Sequence, residues 1–122
     1  GQQRWLDLAG RALAFEWNER FDDRGKLLWY PQTNASPGAP KSPHIRFGTS
    51  GIGAAVLLYA VVADDSTWIE RAVQCAHSVT TRYTNKLWHD YGLAGYGDYL
   101  LDCYEFLGDT RWLDHAFYVA KG

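Results

Sequence analysis

The chain of 122 residues lacks the features that mark several classes of protein. Lys and Arg number 12 against 14 Asp and Glu, and they form no basic run. The charge pattern therefore predicts no nucleic-acid and no membrane partner. The longest near-continuous apolar run, residues 52–63, is too short to span a bilayer. No basic segment followed by an apolar one opens the sequence, so we see no secretion signal and predict a cytoplasmic protein.

Cysteine and proline are also scarce. Cys75 and Cys103 fall inside helical patterns and form no Cys-x-x-Cys motif, so we predict reduced, buried thiols. All four prolines lie between Pro31 and Pro43. Aromatic residues, in contrast, make up 16% of the chain, within an apolar content of 47%. This composition excludes disorder and predicts one domain with a modest core.

An internal repeat organises the chain. Residues 48–53 (Gly-Thr-Ser-Gly-Ile-Gly) align with residues 92–97 (Gly-Leu-Ala-Gly-Tyr-Gly) at an offset of 44. Carried forward without a gap, the alignment holds eight identities over 31 positions. A partial third copy opens the chain, where residues 5–9 align with residues 68–72. Repeats of this length are typical of helical solenoids and toroids.

Each repeat predicts a helical hairpin. Continuous apolar surfaces over residues 52–62 and 96–107 predict inner helices that are buried nearly all round. Each is followed by a short acidic turn whose Asp, Ser and Thr residues suit a helix N-cap. The second, outer helix is amphipathic, with apolar side chains on one face. We expect Trp5, Trp68 and Trp112 to anchor the outer helices against the inner ones.

These hairpins predict an all-α fold of α/α-toroid-type helical repeats, an incomplete toroid of about two and a half hairpins. The single domain, residues 1–122, comprises an outer helix (1–20), a proline-rich loop (21–47), a repeat (48–91) and a truncated repeat (92–122). Two short antiparallel strands are possible within the loop. Neither end carries a polar cap, which predicts a fragment of a larger protein or self-association.

The glycine-rich starts of the inner helices, followed by Leu-Leu and then Gly-Asp-x-Arg-Trp, resemble the lanthionine synthetase C-like (LanC-like) cyclase family. Residues 92–113 carry this resemblance most fully, and residues 47–55 resemble the preceding repeat of the family. The resemblance implies an α/α toroid that acts on a precursor peptide. Its members close thioether rings by adding a cysteine thiol to dehydroalanine or dehydrobutyrine.

The residues at the family's zinc-ligand positions differ in this chain. Zinc-dependent members hold the metal with a Cys before the earlier glycine motif and a Cys-His pair before the later one. Arg46, Asp90 and Tyr91 stand there. Arg cannot coordinate zinc, and Asp90 alone is insufficient because a catalytic zinc usually needs three protein ligands. A shifted site using His44 and His89 is the alternative. We predict no metal and no cofactor.

In lacking these zinc ligands, the chain resembles the zinc-free cyclase domain of class III lanthipeptide synthetases, which form lanthionine or labionin rings. In those proteins the cyclase follows lyase and kinase domains, which this chain does not contain. The resemblance therefore implies the remainder of a larger synthetase as a partner, in addition to the precursor peptide.

Five residues near the glycine motifs are candidates for catalysis without zinc. A thiolate must then be formed by a base or stabilised by a cation. Arg46 could supply the cation, or it could be a loop residue paired with Asp90. His89 is suited to shuttling a proton because imidazole titrates near neutrality, unless it is a solvated loop residue. Tyr91 could protonate an enolate or simply pack, and His44 has a weaker claim of the same kind as His89.

Other polar residues have a structural interpretation. His77 and His115, on the outer helices, are predicted to be surface or inter-helix residues. Asp98 and Asp102, four positions apart on the second inner helix, could form a carboxylate pair, although we favour capping or bridging. The glycine motifs lack the order of a dinucleotide fingerprint and are followed by no Lys-Ser/Thr, so nucleotide binding is not expected.

Two other functions stay open at this point. A toroid without metal ligands could bind a peptide and catalyse nothing. A carbohydrate-active α/α toroid would account for the tryptophans, and it would need two carboxylates about 5–10 Å apart across a cleft. Asp90 with Asp98 or Asp22 could be proposed for that pair.

Overall fold

A computed structural model of the chain describes residues 2–23, 26–29, 49–80 and 93–121. These ranges are mostly helical, as predicted. The elements are α1 (Gln2–Asn18), β1 (Phe21–Asp23), β2 (Lys26–Leu28), α2 (Thr49–Ala63), α3 (Ser66–Val79), α4 (Leu93–Leu107) and α5 (Arg111–Ala120). None of the helices described is long and apolar enough to cross a membrane.

Helices α2 and α3 form one helical hairpin, and α4 and α5 form another. The inner helices α2 and α4 each contain 15 residues, and both their starts and their ends are 44 positions apart. The Asp65 carboxylate accepts hydrogen bonds from the amides of Thr67 and Trp68, at 3.0 and 3.4 Å. Asp109, at the equivalent position, accepts from the amide of Arg111 at 2.9 Å. Both aspartates therefore satisfy amides that lack a partner within the helix.

The core lies between each inner helix and the helices packed around it. Its buried side chains include Leu57 on α2 and Leu100 on α4. Cys75 and Cys103 are free and buried, as predicted. Trp68 and Trp112 are buried as well, which confirms two of the three expected tryptophan anchors.

Trp5 does not anchor its helix, and the prediction for this residue was wrong. Its side chain is 69% exposed. Trp68 and Trp112 are buried because each starts an outer helix that folds back on an inner helix, α2 or α4. No helix precedes α1 in the described part of the chain, so the Trp5 face has no equivalent neighbour there. Instead, α1 buries Trp17, near its C-terminal end.

The prediction that the inner helices are buried nearly all round was also wrong. On α2, Leu58 and Val62 are exposed, and on α4, Leu101 and Phe106 are exposed. Helices α1, α3 and α4 all pack against α2, yet they leave one side of it uncovered. An apolar sequence shows that a helix can be buried, but the placement of its neighbours decides which sides are.

The two short strands pair antiparallel at the start of the predicted loop. The Leu27 amide donates to the Ser78 hydroxyl at 2.8 Å, and the Thr49 hydroxyl donates to the Leu27 carbonyl oxygen. These bonds attach β2 to the end of α3 and the start of α2. The buried Trp29 donates from its indole nitrogen to the Glu16 carbonyl oxygen at 2.7 Å. The strand pair therefore fastens α1 to the first hairpin.

Candidate functional site

The predicted catalytic residues precede the two inner helices in the chain. Arg46 stands three positions before the start of α2, and Tyr91 stands two positions before the start of α4. These two residues, with His89, Asp90 and His44, lie outside the described residues. Their catalytic roles therefore stay predictions.

The zinc chemistry of the LanC-like resemblance does not fit this chain. A guanidinium at Arg46 offers a metal ion no lone pair, and a tyrosine at Tyr91 is a poor ligand. In the part of the chain that the structure describes, no group of three His, Cys, Asp or Glu residues is placed to hold a metal ion.

The N-terminal halves of the inner helices lie side by side. A Cβ atom on Gly53 of α2 would lie 2.8 Å from Cζ of Tyr99 on α4, and 3.0 Å from Cβ of Cys75 on α3. Tyr99 is fixed in this position because its hydroxyl donates to the Ala72 carbonyl oxygen at 2.6 Å. Glycine at position 53 therefore permits three helices to meet closely near the start of α2.

The titratable groups of this core are held in their neutral forms. Burial, together with the Cys103 thiol, raises the pKa of Cys75 to about 12. Burial also raises the pKa of Cys103 to about 12, with the Asp102 charge adding to it and the interaction with the Tyr99 side chain opposing it. Because the thiolate is the reactive form, neither cysteine is a nucleophile at neutral pH.

The predicted carboxylate pair on α4 interacts electrostatically. Burial raises the pKa of Asp102, and the neighbouring charges of Asp98 and Glu105 raise it further. Asp98 is exposed and Asp102 is half-buried. The carbohydrate hypothesis pairs Asp90 with Asp98 or Asp22. Asp22 lies in β1 and Asp98 in α4, but Asp90 lies outside the described residues, so neither pair is tested.

A groove of ≈ 770 Å³ opens between α1, the C-terminal half of α2 and the start of α3. We call it the α1–α3 groove. Two carboxylates, two guanidinium groups and two aromatic rings line it. They belong to Asp7, Arg11, Tyr59, Asp65, Trp68 and Arg71. The groove thus combines hydrogen-bond donors, acceptors and aromatic surface in one place.

Arg71 lines the α1–α3 groove and also contacts two tryptophan rings. Its Cζ atom lies 4.4 Å from the ring centroid of Trp68 and 5.1 Å from that of Trp17. The two indoles meet edge to face, with centroids 6.5 Å apart, and Tyr59 packs against Trp68 at 5.6 Å. Cation–π contacts of this kind stabilise a guanidinium by roughly 0.5–1 kcal/mol each at exposed sites. The aromatic rings therefore hold Arg71 in place at the groove.

We call the contact between α1 and α3 the first junction and the contact between α3 and α5 the second junction. The second junction has histidine at the repeat position where the first has arginine. His77 on α3 packs against Trp112 at 5.0 Å and His115 at 5.8 Å on α5. The Thr80 hydroxyl lies 3.0 Å from Nδ1 of His115. Burial lowers the pKa of His77, and the charges of Arg111 and His115 lower it further. Both histidines were predicted to be surface or inter-helix residues, and the structure agrees, since they meet between α3 and α5 and His77 is also exposed.

Sequence reasoning did not identify the α1–α3 groove. One signal was available, because Leu8, Arg71 and His115 occupy equivalent positions in the three repeat copies. In the second and third copies the charged or polar side chain at this position lies next to aromatic residues where outer helices meet, whereas Leu8 in the first copy is apolar. The groove itself depends on where α1 lies relative to α2 and α3, which no local pattern specifies.

Compared with known proteins, the chain matches no family model, no curated protein sequence and no solved structure.

Proposed function

We propose that this chain is part of a zinc-free LanC-like cyclase. Its helical hairpins would belong to an α/α toroid that holds a precursor peptide and closes lanthionine or labionin rings. The observation that supports this proposal is the repeated inner helix. Both copies contain 15 residues, begin and end at equivalent repeat positions, and have a glycine motif at the start. Close approach of α2 and α4 at Gly53 is what such a toroid requires where inner helices crowd its axis.

The reaction is the addition of a thiol across a carbon–carbon double bond. The sulfur of a peptide cysteine forms a bond to the β-carbon of dehydroalanine, and the π electrons move to the α-carbon as an enolate. A proton then reaches the α-carbon, so the product has the same mass as the substrate. In this proposal Arg46 stabilises the thiolate or the enolate oxygen, while His89 or Tyr91 transfers the proton.

The test uses a synthetic peptide with one cysteine and one dehydroalanine, incubated with the synthetase that carries this chain. Ring closure removes the free thiol, so the product resists alkylation, whereas unreacted peptide gains one alkyl adduct in the mass spectrum. We expect Arg46→Gln to slow thiol loss by about 10²-fold, the range for removal of an oxyanion donor. Arg4→Gln, an exposed change on α1, is the matched control and should leave the rate unchanged.

The second candidate is a peptide-binding module without catalysis. It is favoured by the α1–α3 groove, whose described lining combines charged side chains with aromatic rings that a peptide could contact. Peptide binding without thiol loss, in the same assay, would contradict the cyclase proposal and leave this module as the better description.

A further inference from the structure

Arg71 is oriented, but its hydrogen-bonding capacity is unused within the described part of the chain. Its guanidinium lies 4.4 Å from the Trp68 ring centroid and 5.1 Å from that of Trp17. No hydrogen bond or ion pair joins it to another described residue, and its side chain is half-buried. A guanidinium carries five N–H donors in a rigid plane, suited to a carboxylate. The contacts with the two rings restrict the movement of the guanidinium before any ligand arrives.

The rest of the α1–α3 groove offers further donors and two acceptors. Arg11 is exposed, and the hydroxyl of Tyr59 forms no hydrogen bond with any residue the structure describes. Asp7 accepts one bond, from Gln3 at 2.9 Å, and Asp65 uses Oδ1 to cap α3. Each of these two carboxylates has a second oxygen that could accept a bond.

The two positive and two negative charges of this lining indicate which class of ligand the groove would bind. Two arginines attract an anion, but the two aspartates disfavour a dianion such as phosphate. A single carboxylate flanked by N–H donors matches both sets, because the guanidinium groups take the carboxylate and the aspartate oxygens take the N–H groups. We propose that the α1–α3 groove binds an extended peptide segment through an acidic side chain, with Arg71 and Arg11 as the anchors. This inference rests on the proposed function only in that the substrate is a peptide.

The chain contains a matched control for Arg71. Arg111 also lies over a tryptophan ring, with Cζ 4.3 Å from the Trp112 ring centroid. Its guanidinium, however, is already paired with the Asp109 carboxylate at 3.3 Å. Replacing Arg111 therefore removes the same kind of cation–π contact without removing a free donor at the groove.

The experiment uses isothermal titration calorimetry to measure binding of an acetylated, amidated peptide with a single Glu flanked by Ala residues. We expect the Glu peptide to bind, and a peptide with Gln in place of Glu to bind at least about tenfold more weakly, since bonds to a charged group are the stronger ones. Arg71→Gln should weaken binding of the Glu peptide by about tenfold or more. Arg11→Gln should weaken it several-fold, and Arg111→Gln should not change it.

Three results would overturn the inference. These are equal affinity for the Glu and Gln peptides, unchanged binding by Arg71→Gln, or displacement of the peptide by inorganic phosphate at lower concentration than by acetate. Arg11 is exposed, so Arg11→Gln decides the question if Arg71→Gln fails to fold, as judged by far-UV circular dichroism. Failure of this test leaves thiol loss in the cyclase assay untouched, and failure of the cyclase assay leaves groove binding untouched.

Discussion

The two helical hairpins share a sequence pattern but not their surroundings. A Cβ on Gly53 would meet the Tyr99 ring at 2.8 Å, whereas no described atom lies within 4 Å of a Cβ on the equivalent Gly97. Leu57 is 2% exposed and its equivalent Leu101 is 46% exposed. The difference arises because α4 packs against α2, while the equivalent side of α4 meets no described element. The repeat determines the hairpin, and the neighbour determines the environment of each position in it.

The two junctions between outer helices differ in the same way. Arg71 and His115 are equivalent in the repeat, and both pack beside a tryptophan that begins their helix. At this position the first junction carries a guanidinium and opens into a groove. The second carries an imidazole there, whose charge depends on pH, beside the guanidinium of Arg111.

The largest expected effect comes from the tryptophans that anchor both hairpins. Trp112→Ala and Trp68→Ala should each lower the free energy of unfolding by about 3–5 kcal/mol, because a large buried ring leaves a cavity. Chemical denaturation followed by circular dichroism measures the change. Trp5→Ala, at an exposed site, is the control and should change stability by less than about 0.5 kcal/mol. A loss below about 1 kcal/mol for Trp112→Ala would contradict its role as an anchor.

Replacement of the two equivalent glycines by alanine should change the free energy of unfolding in opposite directions. Gly53→Ala should destabilise the fold by about 1–3 kcal/mol, because the new methyl group meets a ring that is buried and hydrogen-bonded. Gly97→Ala should stabilise it by up to about 1 kcal/mol, because Ala restricts the unfolded chain and suits a helix interior. Urea denaturation of the two variants tests this directly. The same sign for both would mean that α2 and α4 do not meet as described.

The smallest effect concerns the pH dependence of the second junction. Burial, with Arg111 and His115, holds the pKa of His77 below its ordinary value of 6.5. The unfolded chain therefore binds a proton at His77 more readily than the folded chain, so this group lowers stability as the pH falls through 6.5. The loss levels off below the folded pKa.

Replacement of His77 by Gln should flatten this part of the pH profile. The measurement compares urea midpoints of the wild type and His77→Gln between about pH 7.5 and 5.5, around the ordinary histidine pKa. The wild type should lose more stability across this range than the variant. A variant profile that is equally steep would show that His77 does not carry the effect.

Local sequence patterns predicted the elements of this fold but not their contacts. The hairpins, the aspartate caps and the buried thiols each follow from a few neighbouring residues. In contrast, Trp5 was predicted to be buried from its alignment with Trp68, although burial depends on a helix at the correct distance. The α1–α3 groove depends on contacts such as that between Trp17 and Arg71, which are far apart in the chain.

The candidate site was predicted only as positions in the chain. Arg46 and the residues from His89 to Tyr91 follow from the resemblance and its glycine motifs, and their chemistry is a hypothesis for the thiol-loss assay. The groove, in which Arg71 contacts two indoles, results from the packing of three helices.

The buried cysteines have a practical consequence for measuring motion in this molecule. With pKa values raised to about 12, Cys75 and Cys103 present almost no thiolate to a reagent while the hairpins stay closed. Each thiol can react only when its helix separates from its neighbours, so the rate of labelling counts opening events. The labelling rates of Cys75 on α3 and Cys103 on α4 thus provide two probes, one in each repeat, for comparing how often the two hairpins open.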